Sequence, residues 1–298
     1  MSAYRYDYLF PVVLTGTRAE VFAALSRPEA LSEWFAEHVE IGSGAGEPFR
    51  FWGRYTFGVP GTDSASQAIT GWTADQSVSF SWHVLGQDTE VTWQIEEETS
   101  DDEPVLKLRV IHEFAALPEE TRAEALIDDL WRIHVGNLCF YLNGQAGMRV
   151  DFADPSPVVT CQIEIDAPPS SVFAALIEPE HIKQWFPAPD PKVDPRVGGD
   201  YGFGFSFEHD GQKVEPPPLK ISEFVPDKVL AMNWPDWRMD PSVPDQQIRW
   251  ELEDLGDGRT RLTLRHTGFT RTTDISDYPF GWQEFVEKVG EVAVSLTA

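Results

Sequence analysis

Residues 21–35, VFAALSRPEALSEWF, return at residues 172–186 as VFAALIEPEHIKQWF, a displacement of 151 positions. The correspondence continues in order. Ile69-Thr-Gly-Trp72 meets Ile221-Ser-Glu-Phe224, Trp82 meets Trp234, Trp93 meets Trp250 across a short insertion, and Trp131 meets Trp282. Chance does not preserve order and spacing over more than a hundred residues, so the chain is a duplicated domain. At 298 residues it suits two domains of ordinary size. The expected division is 1–150 and 151–298, at the proline-bearing stretch DFADPSP, which breaks a helical pattern before a strand pattern begins.

Each repeat reads in the same order. A first strand (8–14; 158–165) precedes a helix, and Thr17 with Glu20 has the spacing of a capping box. Pro28 ends that helix, and a second short helix runs to the Trp-Phe pair. Segments of period-two alternation follow at 49–57, 77–84, 91–96 and 105–114, then at 200–207, 229–234, 248–253 and 260–266. These predict antiparallel strands with one buried face. Gly-Asp-Gly at 256–258 predicts a tight hairpin. A long amphipathic helix closes each repeat, carrying Ile127, Trp131, Val135 and Leu138, or Trp282, Val286, Val289 and Ala293. The fold class is α+β: two domains, each a curved antiparallel sheet gripped by its own terminal helix, with two short helices at one end.

Composition excludes several functions. With 49 acidic and 23 basic residues the net charge is −26, which opposes a phosphate backbone or an anionic membrane surface, so no nucleic-acid partner and no membrane insertion are expected. The acidity is read chiefly as solubility. Cys139 and Cys161 are too few for a disulfide framework or a zinc cage. The N-terminus lacks the pattern of a secretory signal, and the expectation is a cytoplasmic protein.

The motif VFAAL-x-x-PE-x-x-x-x-WF, the stretch VDPRVGG at 193–199, LRHTGF at 264–269 and the late tryptophan helix together resemble the SRPBCC (START-like, Bet v 1-like) superfamily, in its AHSA1-like branch. The second repeat is the better match, since the first has GSGAG at 42–46 where the second has PRVGG. The resemblance implies a helix-grip fold with a hydrophobic cavity between sheet and C-terminal helix. Members of the superfamily bind lipids, sterols, hormones or polyketides, and some are cyclases, aromatases or condensing enzymes. Fold alone does not choose among these.

Signatures of familiar chemistry are missing. None of the seven histidines forms an H-x-x-x-H pair, no G-x-S-x-G elbow exists, and the glycines at 198–204 precede no helix that could meet a phosphate. No metal and no cofactor are therefore expected. Trp52, Tyr55, Phe57, Trp82, Trp93 and Trp131 are the expected ring lining of the first cup, and Phe203, Phe205, Trp234, Trp250 and Trp282 of the second. Such rings equally fill a core. Trp34-Phe35 and Trp185-Phe186 are assigned to structure beneath the short helices. His112 and His266, each near the end of its repeat's last strand, are either cavity-facing acid–base groups or histidines satisfied by a backbone carbonyl. His134, whose counterpart is Phe285, would serve the first cup alone. Three functions follow: binding of an apolar small molecule, a cyclase or aromatase using the cup to orient its substrate, and a protein-interaction or chaperone-associated module with a protein partner.

Overall fold

A computed structural model describes residues 3–62, 67–100, 103–209 and 212–297, with the backbone alone for 207–209 and 212–214. The first repeat contains β1 (Tyr4–Leu9), α1 (Arg18–Ser26), α2 (Pro28–Trp34), β2 (His38–Ile41), β3 (Phe49–Trp52), β4 (Ile69–Thr73), β5 (Ser77–Val84), β6 (Gln87–Ser100), β7 (Glu103–Phe114) and α3 (Ala123–Leu142). The second contains β8 (Val159–Ile165), α4 (Pro169–Ile177), α5 (Pro179–Trp185), β9 (Lys192–Val193), β10 (Asp200–Gly202), β11 (Phe207–His209), β12 (Gln212–Val214), β13 (Leu219–Val225), β14 (Val229–Trp234), β15 (Gln246–Gly256), β16 (Arg259–Thr267) and α6 (Tyr278–Ser295). Two mixed α+β domains with curved antiparallel sheets and terminal helices result. The compact units are Met1–Asp154 with Thr272–Asp277, and Pro155–Arg271 with Tyr278–Ala298. In the first unit Thr272 Oγ1 donates to the Asp154 carbonyl at 2.7 Å, and Arg132 pairs with Asp277 at 3.0 Å.

Both main sheets are antiparallel meanders closed by the repeat's first strand. The first is ordered β1-β7-β6-β5-β4, the second β8-β16-β15-β14-β13-β10-β9. The capping box forms as its spacing predicts: Glu20 accepts the Thr17 backbone N–H at 2.7 Å, and Thr17 Oγ1 accepts the Glu20 N–H at 3.3 Å. Pro28 and Pro179 sit in the first turn of α2 and α5, where a missing N–H costs nothing. At the 256–258 hairpin, Asp257 and Gly258 both take positive φ (53° and 72°), the pairing a two-residue type I′ turn demands.

Several strands differ in extent from the expectation. β6 and β7 outrun their apolar alternation because the solvent face of the sheet is laced by opposite charges. Lys107 meets Glu98 at 2.6 Å, and Arg109 spans Glu96 (2.5 Å) and Asp7 (2.8 Å) on the flanking strands. Conversely β3 stops at Trp52, where Gly53 adopts φ +125°. The strand expected over 200–207 breaks after Gly202. Gly204 there has φ +73° and lies so close to the Asp190 carbonyl that a Cβ would come within 2.5 Å of it. No helix among the described residues is long and apolar enough to cross a membrane.

Candidate functional site

The concave face of the first sheet is packed ring on ring. At the end of α2, Trp34 turns back and donates its indole N–H to the Ala24 carbonyl at 2.9 Å, bolting α2 to α1. Phe35, the next residue, reaches deeper into the cup beside it, with the two rings 5.5 Å apart. Its ring lies 4.9 Å from those of Phe51, Trp93 and His134. Phe49, Phe80 and Trp93 close around it with centroids 4.8–6.1 Å apart. Trp82 and Trp131 complete the cluster in edge-on contact, and both are at most 1% exposed. Side chains fill the hollow of this repeat.

Two ring assignments change. Trp52 does not line the cup: Phe49 and Phe51 take the inward phase of β3, so Trp52 faces outward against His38, under the Arg50 guanidinium. Phe35, assigned to the helix wedge, is the hub of the cluster. Tyr55 and Phe57 follow β3 in a loop, Tyr55 beside Arg54 and Phe57 in contact with Trp82 and Phe152.

His112 closes a hydrogen-bond chain at the back of the first cup. Trp131 Nε1–H donates to His112 Nδ1 at 3.3 Å. An indole nitrogen only donates, so Nδ1 must be the unprotonated nitrogen and the proton lies on Nε2. That N–H reaches Thr89 Oγ1 at 2.9 Å, and Thr89 donates onward to the Trp82 carbonyl at 2.7 Å. Burial pushes the His112 pKa down to about 3. The ring is a neutral, satisfied structural group, and its partners are an indole and a hydroxyl rather than a backbone carbonyl.

His134 is different. Its ring is buried, and neither nitrogen has a hydrogen-bond partner. Desolvation lowers its pKa to about 3, opposed slightly by the nearby Trp34 backbone, which lies outside hydrogen-bond geometry. Beside it is a cavity of about 10 Å³, room for one water at most. The stretch after α3 straps this end of the cup. Asn137 accepts the Met148 N–H at 2.6 Å and donates to its carbonyl at 3.1 Å. Asp151 pairs with Arg54 at 2.6 Å, and Phe152 packs on Phe57 and His134 at 5.3 and 6.2 Å.

The second cup repeats the framework and changes the filling. Trp185 bolts α5 to α4 through the Ala175 carbonyl at 2.9 Å. Phe186, again the next residue, stacks on Phe203 at 4.2 Å and touches Phe205 and Phe285. Unlike their first-repeat counterparts these rings are only half-buried, and Phe205 is 39% exposed. Phe203 leads to Trp234 at 6.3 Å, whose indole donates to the Tyr278 hydroxyl at 3.1 Å. Trp250 and Trp282 lie beneath as buried core. Trp282 donates to His266 Nδ1 at 3.0 Å, reproducing the Trp131–His112 pair, and burial again lowers the histidine pKa to about 3.

Thr89, Gln246, Tyr278 and Phe285 belong to these sites without having been singled out as lining by sequence reasoning. Thr89 and Gln246 become equivalent only through strand register, which a repeat interrupted by insertions hides. Phe35 and Phe186 had a signal, since both stand in the duplicated motif itself. Among the described residues no group of three or more His, Cys, Asp or Glu side chains is arranged to hold a metal ion. Burial raises both cysteine thiols to about 11, which keeps them protonated near neutral pH.

The family description "Activator of Hsp90 ATPase homolog 1-like protein" matches residues 16–142 and again residues 166–293. Among solved structures the chain is similar to protein MLL2253 from Mesorhizobium loti, at 23% identity over 48% of this chain and 99% of that one, with a TM-score of 0.37. It is similar to the Aha1 dimer from Colwellia psychrerythraea at 21% identity, covering 45% and 94%, with a TM-score of 0.36. DynU16, from the dynemicin biosynthetic locus, is 15% identical over 98% of this chain and 99% of its own, with a TM-score of 0.37. No curated protein matches.

Proposed function

The chain belongs to the AHSA1-like family, whose domain it carries twice, and from that premise we propose that the second repeat binds an apolar, ring-bearing small molecule while the first is a closed scaffold. One contrast carries the reading. Phe35 and its neighbours are sealed from water, whereas Phe186, Phe203, Phe205, Trp234 and Phe285 form a contiguous, half-exposed shelf. Contiguous exposed aromatics rimming a concave face mark ligand sites more often than they persist by chance. The strong negative charge favours a neutral ligand over an anionic one. A cyclase-type reaction would need a group that moves protons beside this shelf, and His266, whose Nδ1 lone pair is taken by the Trp282 indole and whose pKa burial lowers to about 3, presents a hydrogen-bond donor rather than a base.

The test is a titration of the full chain with the neutral dye N-phenyl-1-naphthylamine, whose emission rises in apolar surroundings. One site per chain is expected, lost in Phe203→Glu, which sets a charge on the shelf, and retained in Phe57→Ala in the first repeat. A dye that does not bind, or binds equally well to Phe203→Glu, removes the proposal.

A further inference from the structure

The two repeats share a buried Trp–His pair and complete it differently. His112 lies opposite Val91 across the ladder, and Thr89, two residues before Val91, shares its face. His266 lies opposite Ile248, and Gln246 stands two residues before Ile248. Register therefore puts Gln246 where the first repeat has Thr89. In the first repeat the chain Trp131–His112–Thr89–Trp82 is closed. In the second, the Trp282 indole again occupies Nδ1, so the proton of His266 must sit on Nε2. That Nε2–H has no partner, and neither has Gln246 Oε1. Both residues are buried, at 0% and 2% exposure.

A buried donor and a buried acceptor on one sheet face, both unpaired, are costly unless something joins them. A hydroxyl accepts from an N–H and donates to a carbonyl at once; a carbonyl ligand would satisfy only His266, and an ammonium only Gln246. The position is one ring behind the aromatic shelf, because Trp234 touches both Phe203 (6.3 Å) and His266 (6.2 Å).

The geometry points to a hydroxyl-reading subsite formed by His266 Nε2 and Gln246 Oε1 at the inner end of the second cup, selecting apolar ring compounds that carry a hydroxyl group. This rests on the reading of the second cup as the binding cup. It is distinct from that reading, because apolar affinity comes from the shelf and the hydroxyl preference from the niche.

The experiment compares 2-naphthol with 2-methylnaphthalene, near-equal in size, as displacers of N-phenyl-1-naphthylamine from the full chain. The wild type should prefer the naphthol by 10-fold or more. Gln246→Thr installs the first repeat's closed chain, so it should bind both compounds at the affinity of 2-methylnaphthalene and melt at a higher temperature than the wild type. Gln246→Leu, which keeps the bulk but cannot accept a hydrogen bond, should lose the preference as well. Equal affinities in the wild type, a preference that survives in either variant, or failure of both naphthalenes to displace bound dye would each overturn the subsite and leave shelf binding standing. A Gln246→Thr protein that melts higher while the wild type shows no preference means a buried water holds the niche, which also overturns it. Failure of the dye itself to bind removes the underlying reading first.

Discussion

Replacing His134 by Phe, the residue at the equivalent position 285, should stabilise the first unit, and by more in acid than at neutrality. Two contributions add. The imidazole is buried with both nitrogens unpaired, and removing such groups recovers about 1–2 kcal/mol at any pH. The second contribution is proton linkage. Burial lowers the folded pKa from 6.5 to about 3, so between those values the unfolded chain binds a proton that the folded chain does not. Acid therefore favours unfolding of the wild type through this group, and stability is lost as pH falls below 6.5. From pH 7.0 to 5.5 that loss integrates to about 1.3 kcal/mol, absent from the variant. Contributions from His112 and His266 are common to both proteins and cancel. Urea unfolding followed by tryptophan fluorescence reads the difference. With m near 2 kcal/mol/M, the midpoint should rise by roughly 0.5–1 M at pH 7.0 and by roughly 1.2–1.6 M at pH 5.5. An advantage that does not grow on acidification would mean the folded imidazole titrates normally, and the account of a sealed first cup would fail with it.

Thr89→Val keeps shape but strands the His112 Nε2–H, while the Trp82 carbonyl keeps its strand partner. It should cost about 1–3 kcal/mol and lower the melting temperature by on the order of 3–10 °C, whereas Thr89→Ser should stay within about 1 kcal/mol. Asn137→Ala removes both clamps on Met148 and should speed tryptic cleavage after Arg149 by about 5–30-fold under native conditions, read from gel time courses. For the first unit, His112 and His134 with lowered pKa predict that stability falls below pH 6.5 with a slope approaching about 2.7 kcal/mol per pH unit by pH 5. Unfolding curves that are flat between pH 7 and 5 would contradict this.

The duplication, the element order and the helix-grip class were all legible, because apolar periodicity and repeated motifs report directly on which faces are buried. β5 and β14 fall on the expected residues for that reason. Three things were not legible. Strand length in β6 and β7 depends on ion pairs between strands, which alternation within one strand cannot display. The phase of β3 was ambiguous, because Phe49, Phe51 and Trp52 are all large rings and only pairing with β2 decides which ones point inward. Whether rings fill a hollow or surround one depends on packing in three dimensions. Both repeats carry similar aromatic positions, yet their exposure differs. His112 and His266 were correctly located near the end of the last strand, but the indoles that fix their tautomers come from helices more than a dozen residues away.

At the end of α5 the rings of Trp185 and Phe186 lie 5.5 Å apart and both rest against Phe285. Trp185 is pinned to the Ala175 carbonyl; Phe186 rests its ring on Phe203, in the shelf. Between them the Phe186 N–H closes the last turn of α5 on the Ile182 carbonyl at 2.9 Å. If the proposed ligand rests on the shelf, amide exchange at Phe186 should slow, and it would serve as a gauge of occupancy.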